Sequence, residues 1–299
     1  MRPWLALGAL GIAFGGASAT LAAPTIDIRG VAARVTIIPE IRSDIGVAIA
    51  HANARLPIRE RRLGDHTYLT GDVVRQVHGC SIVGGHQVVS VWGRGDVPYE
   101  QLPQLVIRTP MDVRVGASEA VFGDIGRSSS VDFTNQGCGS WTIADVQGRL
   151  RLNQAGSGDV RVGSAGPSDL SVVGSGDIVA GEIHGGLKAI SSSSGNVTVA
   201  AVTGPVDARV AGAGNIVLST GTVTDMTASI AGSGSVSLDG VADSLHAMIA
   251  GSGDVSVAKV LGPVVRQVFG SGAVHVNRKA GAGRWGAPRS PIHPRLGRL

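Results

Sequence analysis

Residues 195–214 read Gly195-Asn-Val-Thr-Val-Ala-Ala-Val-Thr-Gly-Pro-Val-Asp-Ala-Arg-Val-Ala-Gly-Ala-Gly214. Val197 and Val199 alternate, Val202 follows after a step of three, Gly204-Pro205 punctuates, and Val206, Ala208 and Val210 alternate again. A period of two puts every second side chain on one face of a strand. Gly-Pro and Gly-x-Gly are turn signals, since glycine supplies positive φ while Asn or Asp tolerates it and bonds the local backbone. The stretch therefore predicts two or three short strands joined by tight corners.

The same pattern recurs on both sides. Anchored on a Gly followed by a small polar residue and then an apolar one, it appears at Gly139, Gly158, Gly176, Gly195, Gly214, Gly234, Gly253 and Gly272, at intervals of 19, 18, 19, 19, 20, 19 and 19 residues. A unit of this length is too short to bury its own apolar face, so it must stack on its neighbours. Stacking in register makes a parallel β-helix in which equivalent residues lie one rung, about 4.8 Å, apart. Two inward columns are predicted: Val160, Ile178, Val197, Ile216, Val236, Val255 and Val274, and Val162, Ala180, Val199, Leu218, Leu238, Val257 and Val276. Parallel crossovers favour a right-handed coil.

Composition agrees with a narrow interior. The 299 residues include 45 Gly but only 4 Trp, 2 Tyr and 4 Phe, so backbone must pack closely on backbone. At 43% hydrophobic the chain is not disordered throughout, and glycine without a three-residue period excludes collagen. The formal charge of +4 is exceeded by six basic residues after Val276 (Arg278, Lys279, Arg284, Arg289, Arg295 and Arg298), so the rest of the chain is acidic on balance. That distribution is not a basic nucleic-acid-binding face, and no nucleic-acid partner is expected.

Four segments follow. Residues 1–23, with one Arg, an apolar run from Trp4 to Phe14 and small residues ending Leu21-Ala-Ala23, read as a cleaved secretory signal. Residues 24–110 keep strand character without the strict period and are expected to form an irregular β cap, residues 111–276 the β-helix repeats, and residues 277–299 a basic disordered tail. No second apolar run is long enough to span a membrane after cleavage. Export makes Cys80 and Cys138 candidates for a disulfide, with two separate buried thiols as the alternative.

Candidate chemistry is sparse. The position after the anchor runs Ser140, Asp159, Asp177, Asn196, Asn215, Ser235, Asp254, Ala273. Asp159 and Asp177, on adjacent rungs, could share a cation or serve as paired carboxylates, but Asn, Ser and Ala in the same column fit turn chemistry better. His78 and His86 flank Cys80 at a spacing that matches no closed zinc pattern. Gly93-Arg-Gly-Asp96 contains an Arg-Gly-Asp tripeptide and reads as a plain turn. The tail, with Trp285 among its bases, could hold an anionic lipid or polysaccharide. No nucleophile elbow, phosphate loop or His-Glu-x-x-His is present, and no cofactor or metal is implied.

The tandem Gly-Ser-Gly-Asp-Val units, the irregular strands before Ile107-Arg-Thr-Pro110 and the Gly214-Asn-Ile216 style of repeat resemble the putative auto-transporter adhesin head domain called the GIN domain. The resemblance runs from Thr25 to Val276 and implies a right-handed β-helix in a bacterial envelope, with no established activity and no catalytic motif to carry over. The basic tail departs from the family. The expectation is an exported, non-catalytic β-helix of the periplasm or cell surface. Its role would be structural, scaffold or adhesion-like, with envelope glycan, lipid or protein as partner. The alternative is an envelope polysaccharide lyase or hydrolase on the same scaffold.

Overall fold

The alternating stretches become strands and the glycine-rich punctuation becomes corners throughout residues 23–276, the part of the chain that the computed structural model describes. Residues 1–22 and the basic tail lie outside the described residues. Among the described residues nearly all regular structure is β, a single 3-10 turn at Tyr99–Gln101 excepted. The strands coil into a parallel β-solenoid of about 9 turns.

Two long sheets run along the solenoid. One, the anchor sheet, contains the strands that follow each anchor glycine. There Val197 lies between Ile178 and Ile216, and Val199 between Ala180 and Leu218, as the period requires. Both predicted columns are buried as far as Val257, and Val274 and Val276 at the last rung are partly buried. The other, the ladder sheet, contains Ser130–Asn135, Leu150–Gln154, Ser168–Val172, Leu187–Ser191 and Val206–Gly212 in parallel register. Its inward positions, such as Leu152, Leu170, Ala189 and Ala208, meet those of the anchor sheet in one continuous apolar core.

The corners correct one expectation. None of the eight anchor glycines adopts positive φ. A Cβ at Gly158, Gly176, Gly195, Gly214, Gly234, Gly253 or Gly272 would fall within 3.0 Å of the carbonyl oxygen of the anchor glycine one rung earlier. Close backbone approach, not a left-handed conformation, forces glycine here. The residue two positions before the anchor does take positive φ in the later rungs, with Gly212 at 154° and Gly232 at 143°.

Parallel stacking also begins earlier in the chain than the strict period does. Thr25–Arg29 pairs with both Asp112–Ala117 and His66–Thr70, and Ala32–Pro39 pairs with both Ala120–Ile125 and Gln104–Thr109. The first two strands thus form an inner rung, with strands later in sequence on either side of them. The chain leaves this rung after Pro39, stacks beside it again at His66–Thr70 and at Gln104–Thr109, and so breaks the nineteen-residue spacing without breaking the stack. Antiparallel strands end the solenoid on this side: Gly46–His51 on Gln104–Thr109, and Arg59–Leu63 on His66–Thr70.

A separate three-stranded antiparallel sheet, Val77–Val83, His86–Val91 and Gly95–Pro98, covers the outer face of the early rungs. Val89, Val91 and Val97 pack there against Ala32, Ala120 and Phe122. Cys80, on this small sheet, is bonded to Cys138, at a corner of the solenoid, with Cα atoms 5.6 Å apart. Tyr99 meets Phe122 edge-on at 5.3 Å and carries the Arg34 guanidinium over its other surface.

Candidate functional site: a charged face on the ladder sheet

Outward positions in a stacked strand fall into columns one rung apart, so a residue type that recurs with the period becomes a stripe on the surface. On the ladder sheet the register places Arg114, Asp132, Arg151, Asp169, Lys188 and Asp207 in one such column, base and acid alternating. Thr227, His246 and Val265 continue it, so the alternation of acid and base ends at Asp207. Arg151 reaches Asp132 at 3.6 Å and Asp169 at 3.9 Å, and Arg149 reaches Asp169 at 3.7 Å. Asp207 binds Arg209 on its own strand at 2.8 Å, a hydrogen-bonded pair that holds the guanidinium still more firmly protonated. Among the described residues, Arg114 and Lys188 have no carboxylate at ion-pair distance.

These pairs are exposed, and exposed pairs contribute about 1 kcal/mol or less each. Their larger effect is to display charges of alternating sign at the rung spacing, with like charges recurring every second rung, about 10 Å.

Three shallow cavities line this face. One, of about 430 Å³, is bounded by Asp27, Arg29, Arg114, Asp132, Thr134 and Gln136. It exists because Gly116 stands in the column between Asp27 and Thr134 and contributes no side chain. A second, of about 400 Å³, lies among Arg149, Asp169, Lys188, Asp207 and Asp225 above Gly185 and Gly186. A third, of about 450 Å³, meets it at Asp169 and Lys188 and is bounded further by Arg151, Asn153, Ser171 and Ile190. All are open and mixed in polarity, suited to contact along an extended partner rather than enclosure of a small one.

The residues singled out from sequence lie elsewhere. Asp159 and Asp177 belong to a polar ladder at the corner of the anchor sheet. Asp159 Oδ1 accepts the backbone N–H of Asp177 at 3.1 Å, and Asp177 Oδ1 accepts both N–H groups of Asn196, backbone at 2.7 Å and side chain at 3.0 Å. The pattern repeats from Asn196 to Asn215 and from Asn215 to Ser235. Each rung needs an oxygen that accepts from the next, which explains why Asp, Asn and Ser interchange. Ala273, at the last described rung, has no side-chain oxygen to offer, and its backbone N–H donates to Asp254 Oδ1 at 2.8 Å.

In the Arg-Gly-Asp turn, Arg94 is held by Asp72 at 2.7 Å and Asp96 accepts from Ser90 at 2.6 Å. His78 stacks obliquely on Trp92 at 5.5 Å, while the neighbouring Cys80 sulfur is committed to the disulfide. Among the described residues no three His, Cys, Asp or Glu side chains gather as a metal site would need.

Residues 180–280 match the family model described as putative auto-transporter adhesin, head GIN domain. That segment is similar to the GIN-domain family. It holds the most regular rungs, and the anchor glycines from Gly195 to Gly272 lie within it. No curated protein matches the chain. Six chains of solved structure do. A protein titled a putative lipid binding protein from Parabacteroides distasonis is 17% identical over 86% of this chain and 93% of its own, with a TM-score of 0.49. A putative adhesin from Bacteroides fragilis is 16% identical over 85% and 92%, with a TM-score of 0.43. A putative adhesin from Parabacteroides distasonis is 12% identical over 86% and 94%, with a TM-score of 0.49.

Proposed function

We propose that this protein is exported, that residues 1–23 are its cleaved signal, and that it works without catalysis as an envelope scaffold or adhesion-like binding protein. The ladder face is its contact surface, and an extended envelope polymer, a glycan first, is the partner. The compartment is the periplasm or the cell surface.

The alternating column from Arg114 to Asp207 carries this reading. A periodic row of charges beside open cavities suits a partner that repeats along its own length, and multiple weak contacts along a polymer add through effective concentration. The head GIN domain match supports an envelope setting. The non-catalytic reading is supported by Asp159 and Asp177, which spend acceptor capacity on the backbone of the next rung.

The test is a binding assay of the purified chain against insoluble peptidoglycan and soluble envelope polysaccharides, beside an Arg114→Ala, Lys188→Ala double variant. Binding that weakens at least roughly tenfold in the variant, with the fold intact by circular dichroism, is the expected result for two charged contacts. Equal binding by both proteins would move the contact off this face. Cleavage of any polysaccharide by the purified chain would overturn the non-catalytic reading.

A further inference from the structure

Charge is shared unevenly along the described chain. Residues 24–110 hold ten Arg against eight carboxylates, while residues 111–276 hold nine bases against fourteen. The basic part also exposes large apolar side chains, Trp92 at 71% and Val74 at 54% among them.

These two side chains sit on neighbouring turns. Val74 and Arg75 form the tip of a turn closed by Gln76 N–H on Val73 O at 3.0 Å. Trp92 N–H donates to Gln76 O at 2.8 Å, which ties that turn to the one following Val91. Val73, 1% exposed, pins the first turn into the cluster beneath the small sheet and leaves Val74 and Arg75 exposed at the tip. His78 supports the Trp92 ring at 5.5 Å.

Four arginines border the two turns. Arg55 and Arg94 exchange hydrogen bonds, each guanidinium donating to the other's backbone carbonyl. Arg94 also donates to Asp72 at 2.7 Å and lowers its carboxyl pKa, with Arg59 adding to that effect through space. Asp96, the other carboxylate of these turns, accepts from Ser90 at 2.6 Å. Among the described residues, Arg55, Arg59 and Arg75 have no carboxylate at ion-pair distance. Like charge gathered in this way opposes the compact state, and anions placed among the arginines relieve it.

We propose that this patch docks the protein on the surface of a bilayer rich in anionic lipid, with Trp92 and Val74 entering the interface and Arg55, Arg59 and Arg75 meeting lipid phosphates. Bases alone would suit any polyanion. An exposed indole beside an exposed aliphatic side chain, at the tips of pinned turns, fits a surface that is polar outside and apolar beneath. Arginine suits it because its stem lies along apolar surface while its head pairs with phosphate. The acidic coil is repelled by the same lipid charge, which leaves the ladder face free.

Sedimentation of the purified full chain with vesicles of phosphatidylglycerol and phosphatidylcholine, and with phosphatidylcholine vesicles alone, tests this. Binding should need the anionic lipid and weaken with added salt. A Val74→Ser, Trp92→Ser variant and an Arg59→Ser, Arg75→Asn variant, each folded by circular dichroism, should partition at least roughly tenfold less. Asn tolerates the φ of 56° at position 75. Should either variant fail to fold, a nitroxide on Val74→Cys must become shielded from an aqueous relaxation agent when vesicles are added, while one on Thr198→Cys must stay accessible.

Equal partition of the variants and the wild type, all of which keep the basic residues after Val276, would overturn the proposal. So would a wild-type chain that leaves anionic vesicles in solution, and its retention on an acidic polysaccharide in that case would assign the patch to a glycan.

Discussion

The indole of Trp141 fills the space that a side chain at Gly123 would need, the two residues being register partners on adjacent rungs of the anchor sheet. A Cβ on Gly123 would lie within 3.0 Å of three ring carbons. Trp141 is 1% exposed and tilts against Phe133 at 4.7 Å, so the narrow interior accommodates its largest residue by pairing it with its smallest. Gly123→Ala should therefore destabilise the fold by about 1–3 kcal/mol, the usual range for overpacking. Trp141→Leu in the same background should recover part of that loss. A double-mutant cycle by chemical denaturation measures the coupling, and purely additive effects would contradict the packing.

The anchor glycines make a sharper contrast. Gly234→Ala would drive a methyl into the Gly214 carbonyl and the Val210 side chain, and should cost about 3 kcal/mol or lower the yield of folded protein. Gly79→Ala, with nothing within 4 Å of its Cβ and no positive φ, should leave the denaturation midpoint nearly unchanged.

The corner ladder distinguishes an acceptor from a charge. Asn215→Ala leaves the Ser235 backbone N–H and hydroxyl without their acceptor and should cost about 1–3 kcal/mol. Asp177→Asn keeps an oxygen in place and should cost less than Asp177→Ala. Thermal unfolding of these variants, with and without calcium, checks both points. A calcium-dependent rise in the wild-type midpoint that Asp177→Asn abolishes would replace the ladder with a metal site.

Most of the fold was legible because it is periodic. Val197 declares its neighbours by spacing alone, and in the fold it lies between Ile178 and Ile216. The charged column was equally legible, since Asp132, Arg151, Asp169, Lys188 and Asp207 keep the same spacing as the anchors. It is missed by a reading that follows only apolar positions and the turn column.

The inner placement of Thr25–Pro39 could not be read in this way. Its partners His66–Thr70 and Gln104–Thr109 are separated from it by irregular chain, and parallel pairing across such a gap leaves no period. The reason for glycine at the anchors was also hidden, because a conformational need and a steric one give the same letter in sequence.

The disulfide between Cys80 and Cys138 spans a sequence separation of 58, and in the chain-entropy model its loss through Cys80→Ser with Cys138→Ser should cost about 4 kcal/mol. The small sheet should loosen first, because it meets the solenoid through a small separate cluster at Phe122 and Ala120. Proteolysis between Val77 and Pro98, followed by mass spectrometry, reports it. Unchanged cleavage in the double variant would show that packing alone holds the sheet.

Acid should act on the same region. The hydrogen bond from Arg94 holds the Asp72 carboxyl below its ordinary value, and Arg42, aided by Arg108, does the same for Glu40. A carboxylate lowered in the folded state contributes stability above its unfolded pKa, about 4, and that contribution is lost as pH falls through the lower folded value. Asp72→Asn should reduce the acid sensitivity of unfolding below about pH 4 by less than about 1 kcal/mol, since the Asp72 side chain is half exposed and water screens the pair. An unchanged pH profile would remove the pair from the account.

Everything rests on rungs stacked in register at the nineteen-residue period. Thr198, Val217 and Ser237 stand in one outward column of the anchor sheet. Nitroxide labels on Thr198→Cys and Val217→Cys should sit one rung apart, about 5 Å at the backbone, and give strong dipolar broadening at low temperature. Labels at 198 and 237, two rungs apart, should give clearly less. Narrow lines for the first pair, or equal broadening for both, would contradict the stacked solenoid.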